Sequence, residues 1–162
     1  MNVFEYNFLS LTGASINFHN YQGQPMLIVN TASYCSYTPQ YRKLQNLWRD
    51  YKEGGLMVIA MPSNDFGEQE PAEEDIIDQF LRTNYGVDFP VTAKQVVSGR
   101  DAHPLFIKIL EEHGIDAMPK WNFQKYLFDR TGDLLDFWPS AVEPDDPVIT
   151  HHIERHLQSW IL

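Results

Sequence analysis

The sequence contains only one cysteine, Cys35, among its 162 residues. A lone cysteine cannot form an intramolecular disulfide, which excludes a small secreted scaffold that disulfides hold together. The chain also lacks any apolar run near the ~18 residues that a membrane-spanning helix needs, and its first residues lack the basic and apolar regions of a secretory signal. We therefore expect one globular domain over residues 1–162, in the reducing environment of the cytoplasm and without insertion into a membrane.

Positive charge is also scarce. Lysine and arginine together number 12 against 22 aspartates and glutamates, which gives a formal net charge of −10. Proteins that bind nucleic acids cluster lysine and arginine to neutralise phosphates, so this composition argues against a nucleic-acid partner. Hydrophobic residues make up 43% of the chain, an ordinary share for a globular domain with its own core.

The hydrophobic pattern alternates between strand-like and helix-like segments. Strands are predicted at 4–9, 15–18, 26–30, 56–61, 89–91, 126–129 and 134–137. Helices are predicted from Pro39 to a stop at Gly54, at 73–84 and at 104–111. A last helix is predicted from Asp146 onwards, with Ile149, Ile153, Leu157 and Trp160 on the apolar side. This order indicates an α/β protein with a thioredoxin-like three-layer sandwich, in which flanking helices cover a mixed central sheet and a β-hairpin lies at the N-terminus.

Cys35 follows the buried strand predicted at 26–30 and precedes a predicted helix. Thr38 and Pro39 have the residue types of a helix N-cap and of the first helical position. The free N–H groups and the positive partial charge of a helix N-terminus favour a thiolate, the nucleophilic form of cysteine. Position alone leaves a second interpretation open, because an unpaired cysteine is often simply a small buried hydrophobic residue.

Three short segments decide between these interpretations. They are N-T-A-S-Y-C-S-Y-T at 30–38, M-P-S-N-D-F-G-E-Q-E-P at 61–71 and W-N-F-Q-K-Y at 121–126. Together with A-H-P-L-F at 102–106 and D-R-T-G at 129–132, they resemble the signatures of the glutathione peroxidase family, in the same order along nearly the whole chain. Any one of these motifs is weak, whereas the ordered set is specific.

The resemblance implies a catalytic group of four residues. Cys35 falls on the position of the residue that attacks the peroxide. Gln69, Trp121 and Asn122 fall on the positions of the family's glutamine, tryptophan and asparagine. Amide and indole N–H groups are uncharged donors, which suits them to stabilise a thiolate and the charge that develops as the O–O bond breaks. Taken singly, each of the three has an ordinary structural explanation in a turn or a core.

The same resemblance implies the reaction and its partners. Hydrogen peroxide and organic hydroperoxides would be reduced to water or an alcohol through a sulfenic acid on Cys35. An external thiol, glutathione or a thioredoxin-like protein, would then restore the cysteine. No bound cofactor or metal is expected. The long insertion that mediates tetramer contacts in some relatives is missing before Trp121, so the resemblance implies a monomer with an open site.

Several positions depart from the family pattern. Arg82 stands where many cysteine-type relatives carry a resolving cysteine, and Ser63 replaces the cysteine of the second motif. Without a second cysteine there is no intramolecular disulfide, which favours recycling by a separate thiol. Ser36 replaces a glycine and would be strained if this position required a positive φ. Asp65 would disfavour a thiolate if its carboxylate faced the sulfur.

The sequence leaves other functions open. The substitutions are compatible with a catalytically weak redox sensor or a binding protein on the same fold. A thiol–disulfide oxidoreductase is disfavoured because Thr38 occupies the second cysteine position of a C-x-x-C motif. His152 and His156 are one helical turn apart, but no third ligand is spaced with them, which favours a solvated helix face over a metal site. Lys120, Lys125 and Arg42 are either contacts for glutathione carboxylates or ordinary surface residues.

Overall fold

A four-stranded mixed sheet forms the centre of the computed structural model, which describes residues 1–157. The strands are β1 (Asn7–Leu9), β2 (Ser15–Asn17), β3 (Met26–Thr31), β4 (Met57–Pro62), β5 (Lys125–Phe128) and β6 (Leu134–Trp138). The helices are α1 (Gln40–Tyr51), α2 (Glu74–Tyr85), α3 (Pro104–His113) and α4 (Pro147–His156). The sheet order is β4–β3–β5–β6, in which β3 is parallel to β4 and antiparallel to β5. Helix α1 connects the parallel pair, because parallel strands need a crossover connection.

Helices cover both faces of this sheet. The apolar side chains of β3 alternate between the two faces, so each face has its own hydrophobic core. Leu27 and Val29 belong to a cluster with apolar residues of α1, α2 and α4. Met26 and Ile28 belong to a second cluster, with apolar residues of α3 and of the N-terminal hairpin. All six residues of β3 are buried, as expected for a strand that is covered on both faces. The predicted three-layer α/β architecture is confirmed.

The N-terminal hairpin is present, but it does not join the central sheet. Strands β1 and β2 pair antiparallel as a separate two-stranded sheet. The central sheet is mixed because β5 lies antiparallel to both of its neighbours. The prediction of a strand at 89–91 is wrong in extent, since Val91 forms a single bridge to Ala60 and Thr92 forms another to Ser10. This segment therefore links the edge of the central sheet to the hairpin without extending either.

The two predicted proline-containing helix starts differ in outcome. Asp146 accepts a hydrogen bond from Val148 N at 2.9 Å, so α4 begins with the predicted cap. The assignment of Thr38 as the N-cap of α1 is wrong, because α1 begins at Gln40 without a side-chain cap. Trp160, predicted on the apolar side of α4, lies outside the described residues.

Lys125 of β5 carries a buried amino group and is not a surface residue. Its side chain is fully buried, and Nζ donates a hydrogen bond to Ser140 O at 2.9 Å. Burial lowers the pKa of the Lys125 ammonium group to about 7, while the negative charge of Glu143 acts in the opposite direction. Lys125 is therefore removed from the candidates to contact glutathione, whereas Lys120 is exposed.

The free energy of unfolding of the wild-type protein is expected to rise with pH between about pH 7 and pH 9. Replacing Lys125 with methionine should make this rise shallower. The folded protein releases the lysine proton near pH 7, whereas the unfolded chain keeps it up to about the ordinary pKa of 10.5. The unfolded state thus binds more protons in this window, so stability increases with pH, by at most about 1.4 kcal/mol per pH unit. Urea unfolding across this range measures the slope, with Lys120→Met as the exposed control. Equal slopes in wild type and Lys125→Met would contradict this assignment.

Candidate active site

Cys35 lies in a tight turn between β3 and α1, which we call the cysteine turn (residues 32–38). The Thr38 hydroxyl closes this turn, because its Oγ1 accepts a hydrogen bond from Cys35 N at 2.9 Å and donates one to Ala32 O at 2.8 Å. Cys35 is 8% exposed, and its Sγ accepts a hydrogen bond from Tyr37 N at 3.4 Å. A backbone N–H of the turn therefore contacts the sulfur, in place of the first turn of α1 that the sequence predicted.

A second loop, residues 63–70, is hydrogen-bonded to the end of β3 and to the cysteine turn. At its start, Ser63 N donates to Thr31 O at 3.0 Å. At its end, Tyr34 N donates to Gln69 O at 3.1 Å. The main chain of Gln69 therefore lies beside the cysteine turn, and we call this segment the glutamine loop.

The tryptophan–asparagine segment after α3 forms the third part of the site. Asn30 in β3 donates from Nδ2 to Trp121 O at 2.9 Å, and its carbonyl accepts a hydrogen bond from Phe123 N at 2.6 Å. The carbonyl of Asn122 accepts a hydrogen bond from Ser140 Oγ at 2.5 Å. These bonds hold the segment against the same end of β3 from which the cysteine turn begins.

The side chains of Asn122 and Gln69 meet directly. Asn122 is fully buried, and its Nδ2 donates to Gln69 Oε1 at 2.9 Å and to Phe66 O at 3.3 Å. Both N–H bonds of the Asn122 amide are therefore engaged. Gln69 Nε2 donates to no atom within residues 1–157, so it is the amide donor that remains for a bound group.

Trp121 joins this pair at Gly67 in the glutamine loop. A side chain at Gly67 would place its Cβ 2.9 Å from Trp121 Cη2 and 3.3 Å from Gln69 Cδ, and the residue has a φ of +67°. Glycine accommodates both the close approach and the left-handed backbone. Trp121 is 38% exposed, so its ring covers the glutamine loop at the surface instead of lying in the core.

Backbone strain is concentrated beside the two amides. Within residues 1–157, two non-glycine residues have a positive φ: Glu68 (51°), which precedes Gln69, and Phe123 (66°), which follows Asn122. A left-handed conformation costs a non-glycine residue on the order of 1–3 kcal/mol and persists only where its surroundings enforce it. Such residues cluster at functional sites, and here they flank the predicted glutamine and asparagine.

Two of the departures from the family pattern leave the site undisturbed. Asp65 does not oppose a thiolate as a partner of the sulfur, because its Oδ2 accepts hydrogen bonds from Val97 N at 2.7 Å and Ser98 N at 3.1 Å. Ser36 does not have a positive φ, so the serine that replaces glycine is free of the expected strain.

Glu70 is a site residue that sequence reasoning missed. It is fully buried, and its carboxylate accepts hydrogen bonds from Ser33 N and, at 2.7 Å, from Ser33 Oγ. Burial raises the pKa of the Glu70 carboxyl, and the hydrogen bonds from Ser33 act in the opposite direction. No local signal separates Glu70 from the exposed Glu68, because its burial depends on a partner 37 positions earlier in the chain.

Other kinds of site are not found in the part of the chain that the structure describes. No helix there has the length and apolar character to cross a membrane, and no three His, Cys, Asp or Glu side chains are grouped to hold a metal ion. His152 Nδ1 lies 3.6 Å from Asp136 Oδ2, and His156 Nδ1 lies 2.9 Å from His152 O. The two histidines noted in the sequence therefore have partners within the protein.

Comparisons with known proteins point to one family. A model of the glutathione peroxidase family, GSHPx, matches residues 3–110. A glutathione peroxidase of Lactococcus lactis subsp. cremoris is 35% identical over 90% of this chain and 94% of its own length. This chain belongs to the glutathione peroxidase family. It is a thiol-dependent peroxidase, and its single cysteine fits a reaction carried by one sulfur atom.

Further similarities extend over nearly the whole of this chain. The hydroperoxy fatty acid reductase gpx1 of Synechocystis sp. is 38% identical over 96% of this chain and 95% of its own length. The crystal structure of apo Trgpx matches with a TM-score of 0.75 at 29% identity and covers 96% of this chain and 95% of that one. The thioredoxin-like fold predicted from the order of strands and helices is thereby confirmed.

Proposed function

We propose that Cys35 is the nucleophile with which this peroxidase reduces hydrogen peroxide and organic hydroperoxides. The thiolate attacks one peroxide oxygen, so that an S–O bond forms as the O–O bond breaks. The departing oxygen takes up a proton and leaves as water or an alcohol. Cys35 is left as a sulfenic acid, and the sulfur loses the two electrons that the peroxide gains.

The observation that supports this assignment is the convergence of Gln69, Asn122 and Trp121 beside the cysteine turn. Asn122 holds Gln69 Oε1, which leaves the Nε2 group of Gln69 to donate to the sulfur and the peroxide oxygens. The indole N–H of Trp121 is the second uncharged donor. Uncharged donors stabilise developing negative charge without supplying an acid that would protonate the thiolate. Asn122 takes part by orienting the amide of Gln69.

An external thiol restores Cys35 in this proposal. The chain has no second cysteine, and Arg82 forms an ion pair with Asp78 at 3.1 Å. One thiol condenses with the sulfenic acid, which releases water and forms a mixed disulfide with Cys35. A second thiol then attacks the sulfur of the first, so that the two leave joined by a new disulfide and Cys35 is released as a thiolate. The reductant is glutathione or a thioredoxin-like protein. A lone thiol that cycles in this way suits the cytoplasm, where we place the protein as a monomer.

Fatty-acid hydroperoxides belong among the proposed substrates. The relative from Synechocystis is a hydroperoxy fatty acid reductase. Trp121 and Tyr34 are exposed aromatic residues at the site, with Tyr34 63% exposed. Their rings offer apolar surface to an acyl chain whose hydroperoxide group reaches the cysteine turn.

Peroxide-dependent oxidation of glutathione by the wild-type protein tests this function. We expect turnover of hydrogen peroxide and of linoleic acid hydroperoxide in an assay coupled to glutathione reductase. Mass spectrometry should find a glutathione adduct on Cys35 when thiol is limiting. A parallel assay with thioredoxin and thioredoxin reductase ranks the two reductants. Rapid formation of a sulfenic acid that neither thiol reduces would instead support the redox sensor.

A further inference from the structure

Glu70 connects the glutamine loop to the cysteine turn through a buried carboxylate. Its two oxygens accept hydrogen bonds from the N–H and the hydroxyl group of Ser33, two residues before Cys35. Hydrogen bonds to an ionised acceptor are roughly twice as strong as bonds between neutral groups. Glu70 also follows Gln69 directly in the glutamine loop. Its carboxylate therefore links this loop to the cysteine turn, and the proposed reaction depends on the distance between these two segments.

A parallel bond makes the connection rigid. Tyr34 N donates to Gln69 O at 3.1 Å, so two successive residues of the cysteine turn are bonded to two successive residues of the glutamine loop. Glu70 N donates in turn to Asn64 Oδ1 at 2.9 Å, which closes the loop on itself. The main chain of Gln69 therefore has little freedom to move relative to the cysteine turn while Glu70 stays bonded to Ser33.

We propose that Glu70 is a positioning residue for the peroxide step, because its bonds to Ser33 set the position of the Gln69 amide relative to Cys35. The inference rests on the function proposed above. Glu70 does not touch the peroxide, and it acts only through Gln69. A buried carboxylate is costly, and burial raises the pKa of Glu70. Glutamine would avoid that cost, but it would replace two charge-assisted hydrogen bonds with weaker neutral ones, and the Ser33 hydroxyl would have to accept a bond from its NH₂ group.

The variants Glu70→Gln and Ser33→Ala test this role, with Glu68→Gln as the matched control on the exposed neighbour. Each half-reaction is measured separately on protein whose reactive thiol has been titrated. Stopped-flow trapping follows the oxidation of Cys35 by hydrogen peroxide, and reduction of the sulfenic acid by glutathione is followed in turn. We expect Glu70→Gln to slow oxidation by about 10- to 100-fold and to leave the thiol step unchanged. Ser33→Ala should give a smaller effect in the same direction, and Glu68→Gln should match wild type.

A double variant separates positioning from a general loss of structure. In a Gln69→Ala background, Glu70→Gln is expected to cause no further slowing, since its effect passes through the missing amide. The inference is overturned if Glu70→Gln slows the oxidation of Cys35 by the same factor in the Gln69→Ala background as in the wild-type protein. It is also overturned if Glu70→Gln slows oxidation and thiol reduction equally. Ser33→Ala carries the same test should Glu70→Gln fail to fold. Wild-type protein that peroxide does not oxidise at Cys35 would instead defeat the proposed function itself.

Discussion

Serine in place of Cys35 is expected to abolish hydroperoxide turnover, with a loss of at least about a thousandfold. The substitution replaces one atom, and the hydrogen bond that holds the turn runs from the backbone N–H of residue 35 to Thr38. The fold should therefore persist while the nucleophile is lost. A serine hydroxyl is far harder to ionise than a thiol, and it has no counterpart of the sulfenic acid on which the cycle depends.

The coupled glutathione assay measures this loss, and thermal unfolding verifies that the variant is folded. Ser36→Ala is the control, because this exposed neighbour changes a hydroxyl group in the same turn without touching the sulfur. The control should retain the turnover of the wild-type protein. If Cys35→Ser still consumes hydroperoxide at a rate comparable to wild type, Cys35 is not the nucleophile.

Glutamate in place of Gln69 is expected to slow oxidation of Cys35 by about 100- to 1,000-fold, the cost of losing one preorganised donor in other enzymes. In the wild-type protein, Asn122 Nδ2 donates to Gln69 Oε1 at 2.9 Å, and the variant keeps an oxygen that can accept this hydrogen bond. It replaces the free Nε2 group with a second, negatively charged oxygen. The shape of the site is thus retained, whereas a donor becomes an acceptor that repels a thiolate.

The rate of sulfenic acid formation at several peroxide concentrations measures this effect. Gln79→Glu introduces the same change on the exposed face of α2 and adds the same charge to an acidic protein. That control should oxidise as fast as wild type, which separates the local donor from the overall field. Equal rates in Gln69→Glu and wild type would show that Gln69 does not contact the reacting atoms.

The parts of the fold that sequence predicted well are those that depend on neighbouring residues. Strand β3 begins with a continuous apolar run at 26–29, and all six of its residues are buried. The cap of α4 needs only Asp146 and the next two residues, and it forms as predicted. Thr38 shows the limit of this reasoning, because its hydroxyl had two local options. It bonds to Cys35 N and Ala32 O in the preceding turn instead of capping α1.

The parts that sequence missed depend on contacts between distant segments. The motifs placed Gln69 and Asn122 in one site, but only the folded chain shows the bond between their amides, across 53 positions. Glu70 was part of a motif without an assigned role, because its partner Ser33 is brought to it by the pairing of β3 with β4. Local propensity contains no information on such pairings, which tertiary packing decides.

Arg82, which forms an ion pair with Asp78, stands where the family resemblance implies a resolving cysteine, and this has a consequence for the durability of this peroxidase. Under the proposed cycle, the oxidised protein cannot protect its sulfenic acid by forming an intramolecular disulfide, so each sulfenic acid persists until it reacts with a molecule from solution. A second peroxide that arrives first produces a sulfinic acid, which thiols do not reverse. The number of turnovers that each molecule completes therefore depends on the ratio of thiol to peroxide concentration around it. When thiol is scarce, the peroxide substrate itself inactivates the enzyme.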